Sequence, residues 1–399
     1  MIRADELDFL DEIDSDVGSF EEKKSVVDAR VKLSFLKNES SDDDKIFYLR
    51  LAKQEKNYLY DVRFIADEDT QSFNIKELYY KGNFAENSFY EVGRINIKEG
   101  VSRGYNPTDY FKGTHSLTLS NDPKERKENR LGSLLFSQTL FLDKWTLKAI
   151  YSPKISVSKN TLLSDAKYIG LHLDESNYHD RASLYVDYSG FEDVSSSVIL
   201  HYNEDDLNFG FNLSYIYDSW IVYLENSLKY AKNEISKLEI NPAIRDQFSS
   251  NKKYIDQATL GINYTSASNI VTTVEYIFNS GGLDDDDWDR WFELGKNPLY
   301  ARELGSIREQ IAKKESIQSR QSLFVLSRAS DVMTNLDASV LAWVNPYDGS
   351  SLSQVGLEYS YHDNLQTNLF LRNYRGKTDS EYGSALNDYE VLIEAEYLF

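Results

Sequence analysis

The feature that most constrains this chain is alternation with period two, repeated in runs of about ten residues. Val27, Ala29, Val31, Leu33 and Phe35 oppose Asp28, Arg30, Lys32 and Ser34. Leu207, Phe209, Phe211, Leu213, Tyr215 and Tyr217 oppose Asn208, Gly210, Asn212 and Ser214. The same pattern returns at Ala182–Tyr188, Trp220–Tyr230, Ile270–Phe278, Leu336–Val344 and Val355–Tyr361. A β-strand turns successive side chains to opposite faces, so each run has one apolar face and one wet face. About ten residues is the length a tilted strand needs to cross a bilayer, whereas a helix needs about 20 apolar residues. No apolar run of that kind exists, and mean hydropathy is −0.53.

A soluble sandwich would show similar alternation, so composition has to separate the two. Aromatics make up 14% of the chain, with 29 Tyr and 20 Phe. Tyr suits a membrane–water boundary because its ring is apolar and its hydroxyl stays wet. Only 6 Pro and 19 Gly are present, which fits long strands and leaves little for linkers. With no Cys, disulfides and thiolate metal sites are excluded. The net charge of −21 excludes a nucleic-acid partner, whose phosphates need a basic surface. Residues 1–25 differ from the rest, being rich in acids, with Leu7, Leu10, Ile13 and Val17 at near-helical spacing. They are expected to form a periplasmic segment, either plugging or docking, or simply a solvated acidic leader. Met1-Ile-Arg-Ala-Asp-Glu shows no secretory signal and is expected to be a mature terminus. Residues 26–399 form the second unit.

The final segment, Tyr389-Glu-Val-Leu-Ile-Glu-Ala-Glu-Tyr-Leu-Phe399, alternates to its last residue and ends on an aromatic carboxyl terminus. That ending resembles bacterial outer-membrane β-barrel proteins, whose last strand closes the barrel and ends in Phe. The resemblance implies an all-β transmembrane antiparallel barrel in the cell outer membrane, bounded by lipid and lipopolysaccharide. It also implies that the barrel-assembly machinery meets the terminal strand at Tyr397 and Phe399. Tight connections (Asp218-Ser219, Ser266–Asn269, Ser330–Thr334, His362–Asn364) contrast with long ones (231–253, 280–316, 376–386). Short periplasmic turns and long extracellular loops are the expected asymmetry. Segmentation gives about 19 strands, but single-chain bacterial barrels use even counts. The expectation is therefore 16–18 strands, with 18 preferred and the surplus between Leu140 and Asp206.

One stretch, Val92–Phe111, starts as a strand and then breaks into Gly- and Pro-punctuated chain. Gly93, Arg94, Gly100, Arg103, Gly104 and Asn106-Pro107-Thr108-Asp109 resemble the alginate-export-like porins and the uncharacterised barrels associated with RND-type exporters. In that group such a segment looks like a constriction former. The resemblance implies an inward fold near residues 98–130, narrowing the pore with Arg94, Lys98, Arg103 and Asp109; an ordinary extracellular hairpin is the alternative. Inner-face parity adds Arg30, Lys32, Arg63, Arg181, Lys229 and Arg372, facing Asp61, Asp187, Glu225, Glu275, Asp337, Glu358, Glu390 and Glu394. Opposed charges of that kind filter solutes by charge pattern. The expected function is an outer-membrane channel or export barrel. The alternative is a docking component of a periplasmic RND-type export system, with no pore activity of its own.

Asp284, Asp285, Asp286 and Asp287 offer carboxylates to Ca²⁺, although they lack EF-hand spacing and suit a solvated run equally well. Leu304, Ile307 and Ile311 are helix-spaced and could cap the barrel mouth. The histidines (His115, His172, His179, His201, His362) show no metal spacing, and no hydrolase or P-loop motif occurs. His201 near Ser195 and Ser197 is the best nucleophile–base pairing, and polar lining explains it more simply. No enzyme activity and no cofactor are expected.

Overall fold

The computed structural model describes the chain apart from residues 1–25, 39–43, 56, 68–70, 113–115, 118–119, 157–168, 171, 205, 239, 249–250, 363 and 386. The acidic leader and His115 thus lie outside the described residues. Eighteen antiparallel strands close into one barrel. They are β1 Val26–Asn38, β2 Asp44–Gln54, β3 Tyr58–Ala66, β4 Gln71–Ala85, β5 Ser88–Ile95, β6 Ser133–Leu142, β7 Trp145–Ser152, β8 Arg181–Tyr188 and β9 Val194–Asn203. The circuit continues through β10 Asp206–Tyr217, β11 Trp220–Ala231, β12 Lys253–Thr265, β13 Ile270–Asn279, β14 Gln321–Met333, β15 Leu336–Val344, β16 Ser351–Tyr361, β17 Leu365–Arg375 and β18 Tyr389–Leu398. A nineteenth element, Ile169–Gly170, pairs in parallel with Phe73 and Asn74 and is not a wall strand. The surplus strand of the sequence segmentation falls where it was expected, inside Leu140–Asp206.

Closure is made by β1, which pairs with β2 on one side and β18 on the other. Ser34 lies opposite Glu394 and Lys32 opposite Glu396, and the Phe399 amide donates to the Ala29 carbonyl at 2.9 Å. No wall strand is left with an unpaired edge, which is what hydrocarbon requires of a backbone. The alternation read from the sequence sorts the two faces. Leu33 is 57% exposed, Leu207 65% and Leu260 51%, whereas Glu225, Thr259 and Glu275, pointing inward, are 0% exposed. Aromatic pairs gather near the short-turn end, as at Trp145–Tyr188 (4.5 Å) and Trp220–Tyr264 (4.3 Å). The outer surface is therefore a lipid-facing surface with an aromatic girdle.

Leu260 sits mid-strand on the lipid face. Leu260→Arg should destabilise the folded barrel by about 2–4 kcal/mol, the cost of an arginine at mid-bilayer depth. Equilibrium unfolding from lipid bilayers checks this, and an unchanged stability would place Leu260 away from lipid.

Candidate pore and constriction

β5 stops at Ile95 and β6 starts at Ser133, and the chain between them folds into the barrel. Two inward carboxylates hold it there. Glu225 on β11 accepts the amides of Val101 and Ser102 at 2.5 and 2.9 Å. Glu275 on β13 accepts those of Arg103 and Gly104 at 2.6 and 2.9 Å, together with the Tyr223 hydroxyl at 2.5 Å. Hydrogen bonds to an ionised acceptor are about twice as strong as neutral ones. The approach is close enough to need glycine. A Cβ on Gly100 (φ +77°) would lie 2.7 Å from Glu225 Oε1, and one on Gly104 would lie 2.6 Å from the Phe324 ring. Asn106 then turns the chain, its Oδ1 accepting the amides of Thr108 and Asp109, both at 3.0 Å.

The rest of the segment spreads from these anchors. Thr259 donates to the Tyr105 carbonyl at 2.7 Å, and Lys148 pairs with Glu99 at 2.8 Å. Tyr110 stacks on His201 at 4.5 Å and shares a hydrogen bond with Ser227. A short helix, α1 (Pro123–Glu128), starts at Asp122, whose carboxylate caps the amides of Lys124 and Glu125. Arg126 of α1 donates back to the Gly104 carbonyl at 2.8 Å. α1 meets the wall on two sides. Asp122 pairs with Arg328 of β14, while Glu125 reaches Lys32 of β1 at 3.6 Å. Just beyond α1, Asn129 accepts from Arg63 of β3 at 2.7 Å. The half of the lumen walled by β7–β13 is thus packed with chain. Along β1–β3 and β18, charged side chains keep contact with water, with Arg30 39%, Arg50 27% and Glu396 21% exposed.

Above the inner segment lies a helical cap. α2 (Asp285–Gly295) and α3 (Pro298–Lys313) bury Trp288, Trp291, Leu304, Ile307 and Ile311 against Ile235, Ile244 and Phe248. The helix-spaced triplet of the sequence is the buried face of α3. Arg130 joins the cap to the inner segment: it pairs with Asp109 at 2.6 Å and grips both oxygens of Glu315 just past α3. In the same cap Arg308 donates to the Glu381 carbonyl at 3.0 Å. The Glu381 carboxylate accepts from Ser319 at 2.7 Å and Asn345 at 2.9 Å. Burial pushes that carboxyl up to about 7, against the pull of Ser319 and Arg308.

The site residues expected from sequence fall into three groups. Arg30, Arg63, Arg372 and Glu394 stand on the lumen wall, Arg372 paired with Glu390 at 3.2 Å and Glu394 with Lys32 at 2.8 Å. Lys98 is exposed where the inner segment begins, and Arg103 is half-buried beside it. Glu225 and Glu275 are buried anchors under the segment, and Asp109 is buried within it, paired with Arg130. Arg94 and Arg181 stand apart. Arg94 shares the strand face of Val92, donating to the Gly132 carbonyl at 2.8 Å. Arg181 is 2% exposed at the top of β8, hydrogen-bonded to Ser133 and the Ser176 carbonyl.

Asp284 caps α2 through the Asp287 amide and pairs with Arg320, and Asp285–Asp287 fill the first turn. The run thus serves a helix start, where acids offset the macrodipole. His201 contacts Ser183 at 2.7 Å, not Ser195 or Ser197. Tyr397 and Phe399 pack edge to face at 4.8 Å on the closing strand. Sequence reasoning missed Arg50, Lys76, Glu125, Arg130 and Glu315. Inner-face parity in Asp44–Gln54 would have found Arg50; no local signal marks Glu315.

This geometry belongs to a known fold, that of outer-membrane β-barrels. The chain superposes on Pseudomonas aeruginosa OccK11 (OpdR) with TM-score 0.55 and 9% identity, covering 96% of this chain and 99% of that one. It matches P. aeruginosa OpdK solved with vanillate (0.53, 9%, 94% and 98%) and the outer membrane protein OprD of P. aeruginosa (0.51, 8%, 94% and 94%). No protein-family model and no curated protein matches the chain.

Glu225→Gln together with Glu275→Gln should loosen the inner segment, since each charge-assisted contact is worth about 1.5–3 kcal/mol. Limited proteolysis within residues 98–130 should speed up in the double variant and not in Glu390→Gln. For the cap, the Glu381 carboxyl titrates higher folded than unfolded. Its contribution to stability is therefore full below the ordinary carboxylate range and lost as pH rises through about 7. Cleavage in residues 376–388 should thus quicken between pH 5 and about pH 8, and Glu381→Gln should flatten that dependence.

Proposed function

We propose that the chain is an outer-membrane diffusion channel that admits small polar solutes along the wall made by β18 and β1–β3. The observation that carries this is the lopsided lumen: the inner segment is fastened to β11–β13 by Glu225 and Glu275, while water-exposed charges of both signs remain on the far wall. Opposed wall charges at a narrowed lumen select by sign and by charge pattern. The matched barrels support this reading. OprD is an outer membrane protein, and OpdK has been solved with vanillate, a precedent for a small organic solute in this fold. The surrounding partners are outer-membrane lipid and lipopolysaccharide, and the assembly machinery engages the closing strand at Tyr397 and Phe399. Transport rather than bond chemistry is the role assigned to the lumen.

The docking reading depends on a partner for residues 1–25, outside the described residues, and no described contact favours it or export. In planar bilayers the purified, folded barrel should give discrete conductance steps. Replacing residues 97–131 by a short Gly-Ser link should raise the step size several-fold. A folded barrel that carries no current, or an unchanged step after the replacement, would overturn the reading.

A further inference from the structure

The barrel closes along a seam whose inner face is a ladder of opposite charges. On β1 the inward side chains Asp28, Arg30 and Lys32 follow one another at every second residue, about 7 Å apart. On β18, Glu394 and Glu396 do the same. Lys32 pairs with Glu394 at 2.8 Å, and one step toward the periplasm Arg30 pairs with Glu396 at 2.9 Å. Arg30 also holds Asp28 at 2.6 Å, which in turn meets Arg50 of β2 at 3.1 Å. The lower rung offers one cation and one anion, the upper rung sets Lys32 between Glu394 and Glu125, and Arg50 also pairs with Asp61 of β3 at 3.0 Å. Apart from Glu394, these side chains are 20–39% exposed. They are in contact with water and open to exchange. The upper rung faces the tip of the inner segment, since Lys32 also meets Glu125 of α1 at 3.6 Å.

We infer that this seam is a selectivity track for small net-neutral zwitterions, such as free amino acids with uncharged side chains. The inference rests on the channel reading above and names its substrate class. A solute bearing only a negative charge gains Lys32 or Arg30 but strands the carboxylate that cation was neutralising, and a cation fails in the mirror sense. Leaving a partly desolvated charge unpaired is the costly event at such a wall. A molecule carrying an ammonium and a carboxylate a few ångströms apart exchanges with a whole rung. At the lower rung its carboxylate takes Arg30 and its ammonium takes Glu396. At the upper rung the carboxylate takes Lys32 and the ammonium meets the part-exposed Glu125, Glu394 being buried, so the charges stay paired down the seam.

Flux into proteoliposomes of glutamine, glutamate and lysine, three amino acids of similar size and net charge zero, minus one and plus one, tests this. Glutamine should enter about fivefold faster than either of the others, the scale of one partly exposed ion-pair contact. Lys32→Gln with Arg30→Gln should move the preference to lysine, and Glu394→Gln with Glu396→Gln should move it to glutamate. The exchanged pair Lys32→Glu with Glu394→Lys should return it to glutamine, a rescue that a merely structural seam would not give. Equal flux of the three, or an order unmoved by these variants in barrels that still conduct, would overturn the inference and leave the channel reading standing. A wild-type barrel without current would instead remove the channel reading itself.

Discussion

Everything in this structure depends on the backbone having no unpaired edge in lipid. Inside hydrocarbon no water is available to satisfy an exposed amide or carbonyl, so a sheet can span only if it closes. β1 performs the closure by pairing on both sides, and the last residue of the chain donates into it through Ala29. Once the sheet is closed, period two decides the rest: one set of side chains must face lipid and the other must face the interior.

An interior walled by 18 strands is too wide for wall side chains to fill. The chain fills part of it with its own backbone. That backbone brings unpaired amides into a confined space, and the wall answers with Glu225 and Glu275, which take four successive ones. The consequence is asymmetry. Where the inner segment is anchored, the lumen becomes a packed core with Tyr110, Phe111, Ile199 and His201 in contact. On the opposite arc, beside the contacts of Lys32 with Glu125 and of Arg63 with Asn129, the wall charges have one another and water. Arg130 carries the arrangement upward, because its grip on Glu315 ties the inner segment to the helical cap.

The barrel was legible in the sequence because alternation is a local property, repeated until chance could not account for it. Strand count was less so. The Ile169–Gly170 element looks like a strand and pairs like one, but with the end of β4 rather than within the wall. Parity also fixed which charged residues point inward without saying what would meet them. Glu225 and Arg30 have the same signature, yet one is buried under the inner segment and the other faces water, a difference set by a loop more than a hundred residues away for Glu225. Arg94 sits beside a glycine-rich break and invites a pore role, while its face is the one carrying Val92. The Asp284–Asp287 run has the composition of a cation site and the position of a helix start; position decided its contacts.

The central claim is that the β1–β18 seam borders a water-filled passage. The chain has no Cys, so single cysteines can be introduced without background. Arg50→Cys and Glu396→Cys should react with a charged, membrane-impermeant thiol reagent and reduce single-channel current on reaction, while Leu33→Cys and Leu51→Cys, on the lipid face, should stay unmodified. Reaction at the two lipid-face positions with no reaction at the two seam positions would contradict the account.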